Sequence, residues 1–182
     1  MPLITRLFRR PPDLEPARRL YDAAVAQGRQ PGFYARLGVP DSVDGRFDLI
    51  ALHVWLLQRR LKRAGQPAEG VGQQLAEVFF ADMDLSLREM GAADIGVGRR
   101  VKRMIEGFAG RAEAYDAALA EGDQALAVAL GRNLYGGKPA DPAHVLAIAG
   151  YLRAAEAGLE GQDDAAALAG RLVFPPPPGE RP

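Results

Sequence analysis

The sequence predicts an all-α, single-domain bundle of about six to eight helices, and three observations carry that expectation. Alanine, leucine, arginine and glutamate dominate the 182 residues while β-branched side chains are sparse, which favours helix over strand. Apolar residues recur at spacings of three and four along most of the chain, and no alternating run survives more than a few residues. Glycine and proline fall mainly between the periodic stretches. An apolar fraction of 48% is enough for one core at this length.

Each element follows from these signals. A basic arm, residues 1–12, precedes the helical region over residues 13–173, and a disordered proline-rich tail is expected over residues 174–182. Leu14, Ala17, Tyr21, Ala24 and Val25 form the first stripe, stopped by Gly28. A short segment from Phe33 to Leu37 ends at Gly38, and a turn-rich stretch runs from Val39 to Gly45. The next helix, about Arg46 to Ala64, is apolar nearly all round and is therefore the buried central one. Its basic end, Arg59-Arg60-Leu61-Lys62-Arg63, suits the negative end of a helix dipole. Helices are then expected from about Val71 to Met90 and from about Val97 to Ala120. The second contains Gly107 and Gly110, which point to a kink or to close helix approach. Asp123 is a candidate N-cap for a helix ending near Tyr135. Asp141-Pro142 opens another through Val145, Ile148, Leu152 and Ala155. Asp163 and Asp164 open a last one, expected to reach Val173.

With no cysteine, disulfides, thiolate metal sites and cysteine nucleophiles are excluded. Formal net charge is zero but uneven: residues 1–63 hold 12 basic and 6 acidic side chains, and residues 112–182 hold 5 and 10. That polarity fits an oriented partner, the anionic inner face of a membrane, or simple patterning of solvated surfaces. No apolar run nears the ~20 residues that span a bilayer, and the N-terminus has no secretory core or cleavage site. A soluble, cytoplasmic protein is expected, with peripheral contact at the inner membrane face as a further reading. In that reading Leu3, Ile4, Leu7 and Phe8 lie against Arg6, Arg9 and Arg10; a frayed terminus is the alternative.

The catalytic motifs fail one by one. His53 and His144 are the two histidines, preceded three residues earlier by Ile50 and Asp141, so the Glu-x-x-His pairs of a di-iron bundle are missing. No zinc motif, phosphate loop or nucleophile elbow is present. No cofactor is expected. His53 reads as a hydrogen-bonded core histidine. Asp84 lies four residues before Arg88, the order that makes a weak surface ion pair. Asp82 points into an apolar arc and needs a partner, for which His53 or an arginine of the next helix is the expectation. The competing reading makes His53, Asp82 and Asp84 a cofactor or metal site in a small enzyme. Arg99, Arg100, Lys102 and Arg103 share one helix face near an N-terminus, where the dipole disfavours cations. With Arg88 they are the candidate surface for an acidic or anionic partner. The absence of interleaved aromatics argues against specific nucleic-acid binding.

Three stretches resemble a known family. They are Phe33 to Asp41 continuing as Asp44-Gly45-Arg46-Phe47-Asp48, then Leu52-His53-Val54-Trp55-Leu56-Leu57-Gln58-Arg59-Arg60-Leu61, then Phe79 to Gly91 running on into Asp94 to Lys102. Together they are similar to the ubiquinol–cytochrome c chaperone family, well over Pro31 to Tyr115. The resemblance implies an all-helical, non-enzymatic assembly factor for the cytochrome bc complex, with no catalytic residues to carry over. It implies a hydrophobic membrane-protein client, cytochrome b, and in mitochondria a small partner protein. The lack of an obvious presequence gives the expectation of a bacterial member. A generic protein-interaction module is the remaining alternative.

Overall fold

The computed structural model describes residues 13–89 and 94–179, with the side chains of residues 87, 94–102 and 104 outside that description. The basic arm, residues 1–12, and the chain end beyond 179 also lie outside it. Among the described residues the chain is all helix and loop. Its elements are α1 (Glu15–Gly28), α2 (Pro31–Ala35), α3 (Val43–Arg63), α4 (Ala68–Glu89), α5 (Asp94–Glu121), α6 (Asp123–Leu134), α7 (Pro142–Glu160) and α8 (Asp164–Leu168).

Helix α3 is the axis of the bundle, packing against α1, α4, α5, α6, α7 and α8. Its sequence explains this placement. Leu49, Leu52, Val54, Leu56, Leu57 and Leu61 point in different directions around the helix, and all are buried. The other helices each present one apolar stripe: Ala17, Leu20, Tyr21 and Ala24 on α1, and Val145, Ile148, Ala149, Leu152, Ala155 and Leu159 on α7. Burying one such leucine contributes about 2 kcal/mol, so α3 alone supplies a large share of the driving force.

Several boundaries differ from those read in the sequence, each for a local reason. α3 begins at Val43 because the Ser42 hydroxyl accepts the amide of Gly45 at 3.1 Å, converting the end of the turn-rich stretch into a capped helix start. α4 and α5 each begin three residues earlier than expected. Gly107 and Gly110 lie within α5 without interrupting it, and no other element approaches within 4 Å of a Cβ placed at Gly110. At Asp141 the expected cap is formed, the carboxylate accepting the Ala143 amide at 2.8 Å. α8 stops at Leu168, well short of Val173. Gly170 adopts φ +69° and closes the helix through Arg171 N–H to Ala166 O at 2.8 Å and Gly170 N–H to Ala167 O at 3.2 Å.

The tail differs more. The sequence predicts disorder over residues 174–179, yet in the structure residues 174–177 continue an irregular strap that ends in a turn at Pro178-Gly179 and is tied to Gln27 of α1 and to Arg36 after α2. Leu172 and Pro177 are buried, and Phe174 packs edge-on against His53. Proline withdraws this stretch from helix and sheet, as the sequence suggests, but it leaves the carbonyls free to accept side-chain donors.

Candidate functional site

Buried polar groups separate side chains that hold the bundle together from those free to meet a partner. His53 is fully buried on α3. Its Nδ1 lies 2.7 Å from the Leu49 carbonyl, which can only accept, so Nδ1 carries the proton. Nε2, 2.8 Å from the Tyr151 hydroxyl, therefore accepts the Tyr151 O–H. Gln27 donates to the same hydroxyl at 2.9 Å. Burial lowers the His53 pKa to about 4 against the opposing backbone hydrogen bond, keeping the ring neutral. Phe33 and Phe174 stand edge-on to the imidazole at 5.6 and 5.0 Å. The ring is thus held dry, with both nitrogens engaged.

Among the described residues Asp82 pairs with neither His53 nor an arginine, and the side chains of Arg99 and Arg100 on the next helix lie outside the described residues. The Asp82 carboxylate, half-buried, accepts the Tyr21 hydroxyl at 2.7 Å and ties α4 to α1. Asp84 accepts from Arg88 Nε at 2.8 Å, the i, i+4 pair anticipated from the sequence. His53, Asp82 and Asp84 therefore have separate partners in separate places. Among the described residues no group of three or more histidine, aspartate or glutamate side chains is placed to hold a metal.

Two polar side chains that sequence reading passed over are more deeply placed than Asp82. Asp48, on the α3 face shared with Trp55, is buried and lies 2.9 Å from Arg111 of α5. Desolvation pushes its carboxyl up to about 6, against the pull of Arg111 and with a small push from Asp44. Arg111 also stands over the Phe47 ring, 5.7 Å from its centre. The ion pair is close but not aligned as a hydrogen bond, leaving Asp48 Oδ1 and Arg111 Nε without hydrogen-bond partners. Arg60, only 6% exposed, binds the Leu159 carbonyl at 2.9 Å, the Gln162 carbonyl at 2.6 Å and Asp164 at 2.7 Å. It closes the C-terminal end of α7 and is structural. Alongside it, Arg59 pairs with Asp116 and Glu156, and Arg63 pairs with Glu156 and Glu160.

The surface carries the remaining candidates. Arg88 and Arg103 are exposed on α4 and α5. Arg99, Arg100 and Lys102 belong to the first turns of α5, and their side chains lie outside the described residues. Exposed apolar side chains accompany them on the same two helices, with Leu85 55% exposed on α4 and Ile105 41% exposed on α5. A separate open cavity of about 620 Å³ lies between α5 and α6, floored by Ala117, Ala118, Ala125 and Ala129. No helix among the described residues is long and apolar enough to cross a membrane.

The structure is thus an all-helical bundle that ties up its central histidine and arginine in its own packing and leaves Leu85, Arg88, Arg103 and Ile105 exposed on an adjacent helix pair. Comparison with known proteins fixes the family. Residues 35–174 match the family described as ubiquinol-cytochrome C chaperone, and the chain belongs to it. Ubiquinol-cytochrome-c reductase complex assembly factor 1 of Xenopus laevis is 26% identical over 137 residues, covering 75% of this chain and 68% of that protein. The human protein of that name is also 26% identical over 137 residues, which make up 46% of its length. Protein CBP3, mitochondrial, of Saccharomyces cerevisiae is 29% identical over 151 residues, 80% of this chain and 44% of the yeast protein. The chain thus spans less than half of the human and yeast relatives. A crystal structure of the Cbp3 homolog from Brucella abortus superimposes with a TM-score of 0.79 at 37% identity, covering 87% of this chain and 88% of that one.

Proposed function

We propose that this protein is a non-enzymatic chaperone for assembly of the ubiquinol–cytochrome c reductase complex, holding a hydrophobic subunit such as cytochrome b. The observation that carries the reading is the family match over residues 35–174 together with the same helical fold in the Brucella abortus homolog. In this reading the contact surface is the α4–α5 pair. On it, Leu85 and Ile105 offer apolar area to a membrane-protein segment, and Arg88 and Arg103, with Arg99, Arg100 and Lys102, offer charge to acidic loops or anionic headgroups. The protein works at the inner face of the membrane in this reading, where such a subunit emerges.

Co-purification from native membranes tests it. The tagged chain is expected to retain cytochrome b, and a Leu85→Asp/Ile105→Asp variant with an unchanged helical spectrum is expected to lose it. Recovery of an unrelated partner in place of reductase subunits would make the chain a generic interaction module and overturn the reading.

A further inference from the structure

After Gly170 the chain does not simply end. Residues 172–177, Leu-Val-Phe-Pro-Pro-Pro, run without helix or strand to a turn at Pro178-Gly179, and none of residues 172–177 makes a backbone–backbone hydrogen bond to another described residue. Side chains of the helical body hold them instead. Gln162 uses both ends of its amide on one residue: Oε1 accepts the Val173 N–H at 2.8 Å and Nε2 donates to the Val173 carbonyl at 2.8 Å. Gln27 donates to the Pro175 carbonyl at 2.9 Å, and Arg36 donates to the Gly179 carbonyl at 2.8 Å. Between these clasps the half-buried Phe174 ring packs edge-on against His53, with centroids 5.0 Å apart, and His53 in turn lies against Phe33 and Tyr151.

This is the chemistry of a peptide-binding groove. Gln162 reads the backbone and ignores the side chain, since Val173 points outward and is 68% exposed. The place against His53 selects an aromatic side chain. Prolines that follow have no N–H to leave unpaired and lose little conformational freedom on docking. The family match ends at Phe174, and the proline run begins at the next residue, Pro175. We propose that the channel clasped by Gln27, Arg36 and Gln162 is a binding groove for a peptide bearing an aromatic residue followed by prolines, and that residues 172–179 occupy it as a displaceable strap.

Because the strap is tethered, its effective concentration at the groove is high, on the order of millimolar, and it excludes weaker competitors. Loosening the strap opens the groove to the same peptide supplied from outside. This inference is independent of the chaperone reading, which can fail with the groove intact.

The test titrates a fluorescent peptide, residues 171–180 of this chain, into the full-length protein and two full-length variants. Phe174→Ala removes the anchor of the tethered strap and leaves its place against His53. It is expected to bind the peptide roughly tenfold or more tighter than the unaltered chain does. Adding Gln162→Ala to Phe174→Ala is expected to remove that gain. A Phe174→Ala protein with an unchanged helical spectrum that binds no better than the parent overturns the proposal. Hydrogen exchange on the unaltered chain gives a readout that no substitution can spoil. The Val173 amide is expected to exchange at least a hundredfold faster, as an order of magnitude, than amides in the middle of α7. Equal protection means the strap does not lift, and the proposal falls.

Discussion

Asp48→Asn changes the acid response of this fold in a direction set by two buried groups. His53 titrates at about 4 in the folded state against 6.5 unfolded, so it favours folding above pH 6.5 and withdraws that support as pH falls toward 4. Asp48 is the reverse. Its folded pKa of about 6 against 3.8 unfolded means that it favours the folded state at low pH and loses that contribution as pH rises through 6. Between pH 4 and 6 the two slopes oppose each other, each worth about 1.4 kcal/mol per pH unit. Removing the carboxyl leaves the histidine slope uncompensated. On going from pH 6.5 to 4.5, Asp48→Asn is expected to lose roughly 2 kcal/mol more than the parent. Urea unfolding followed by circular dichroism at half-unit pH steps measures this, and His53→Gln is expected to shift the slope the other way. Parallel stability profiles for the parent and Asp48→Asn would refute the pairing of Asp48 with a desolvated site.

Other consequences concern stability and the surface. Gly170→Ala places a Cβ 2.3 Å from the Pro16 carbonyl oxygen at φ +69°, whereas at Gly65, also at φ +69°, there is nothing within 4 Å. Gly65→Ala is expected to cost about 1 kcal/mol and Gly170→Ala clearly more, by thermal or urea melts. Arg60→Met leaves the Gln162 carbonyl without its side-chain donor, while the Leu159 carbonyl keeps the Gln162 amide at 3.3 Å, and is expected to cost roughly 1–3 kcal/mol. Hydrogen exchange in the last turn of α7 locates that loss. The Leu85→Asp/Ile105→Asp variant, altering exposed positions, is expected to change stability by less than about 0.5 kcal/mol while lowering client recovery.

Much of the fold was legible because it depends on local rules. The all-round apolar character of α3, the Asp141-Pro142 start of α7 and the Asp84–Arg88 pair need only spacing and neighbours in the chain. What escaped depends on partners distant in sequence. Nothing near Asp82 points to Tyr21, sixty-one residues away, and nothing near Asp48 points to Arg111. Ser42 was hidden inside a turn-rich stretch whose last residues the cap converts to helix. The strap left least trace in the sequence. Four consecutive prolines carry no periodic signal, and their order comes from Gln27, Gln162 and Arg36, donors supplied by α1, the α7–α8 corner and the loop after α2. The basic cluster was legible as a charge pattern, but a charge pattern names no partner by itself; the family match gives it one to test.

Abundance of assembled ubiquinol–cytochrome c reductase in cells lacking this gene is the most direct measurement of the central claim. The chaperone account predicts a marked fall in the assembled complex, with restoration when the intact chain is returned. Unchanged levels of assembled complex in the deletion strain would contradict it.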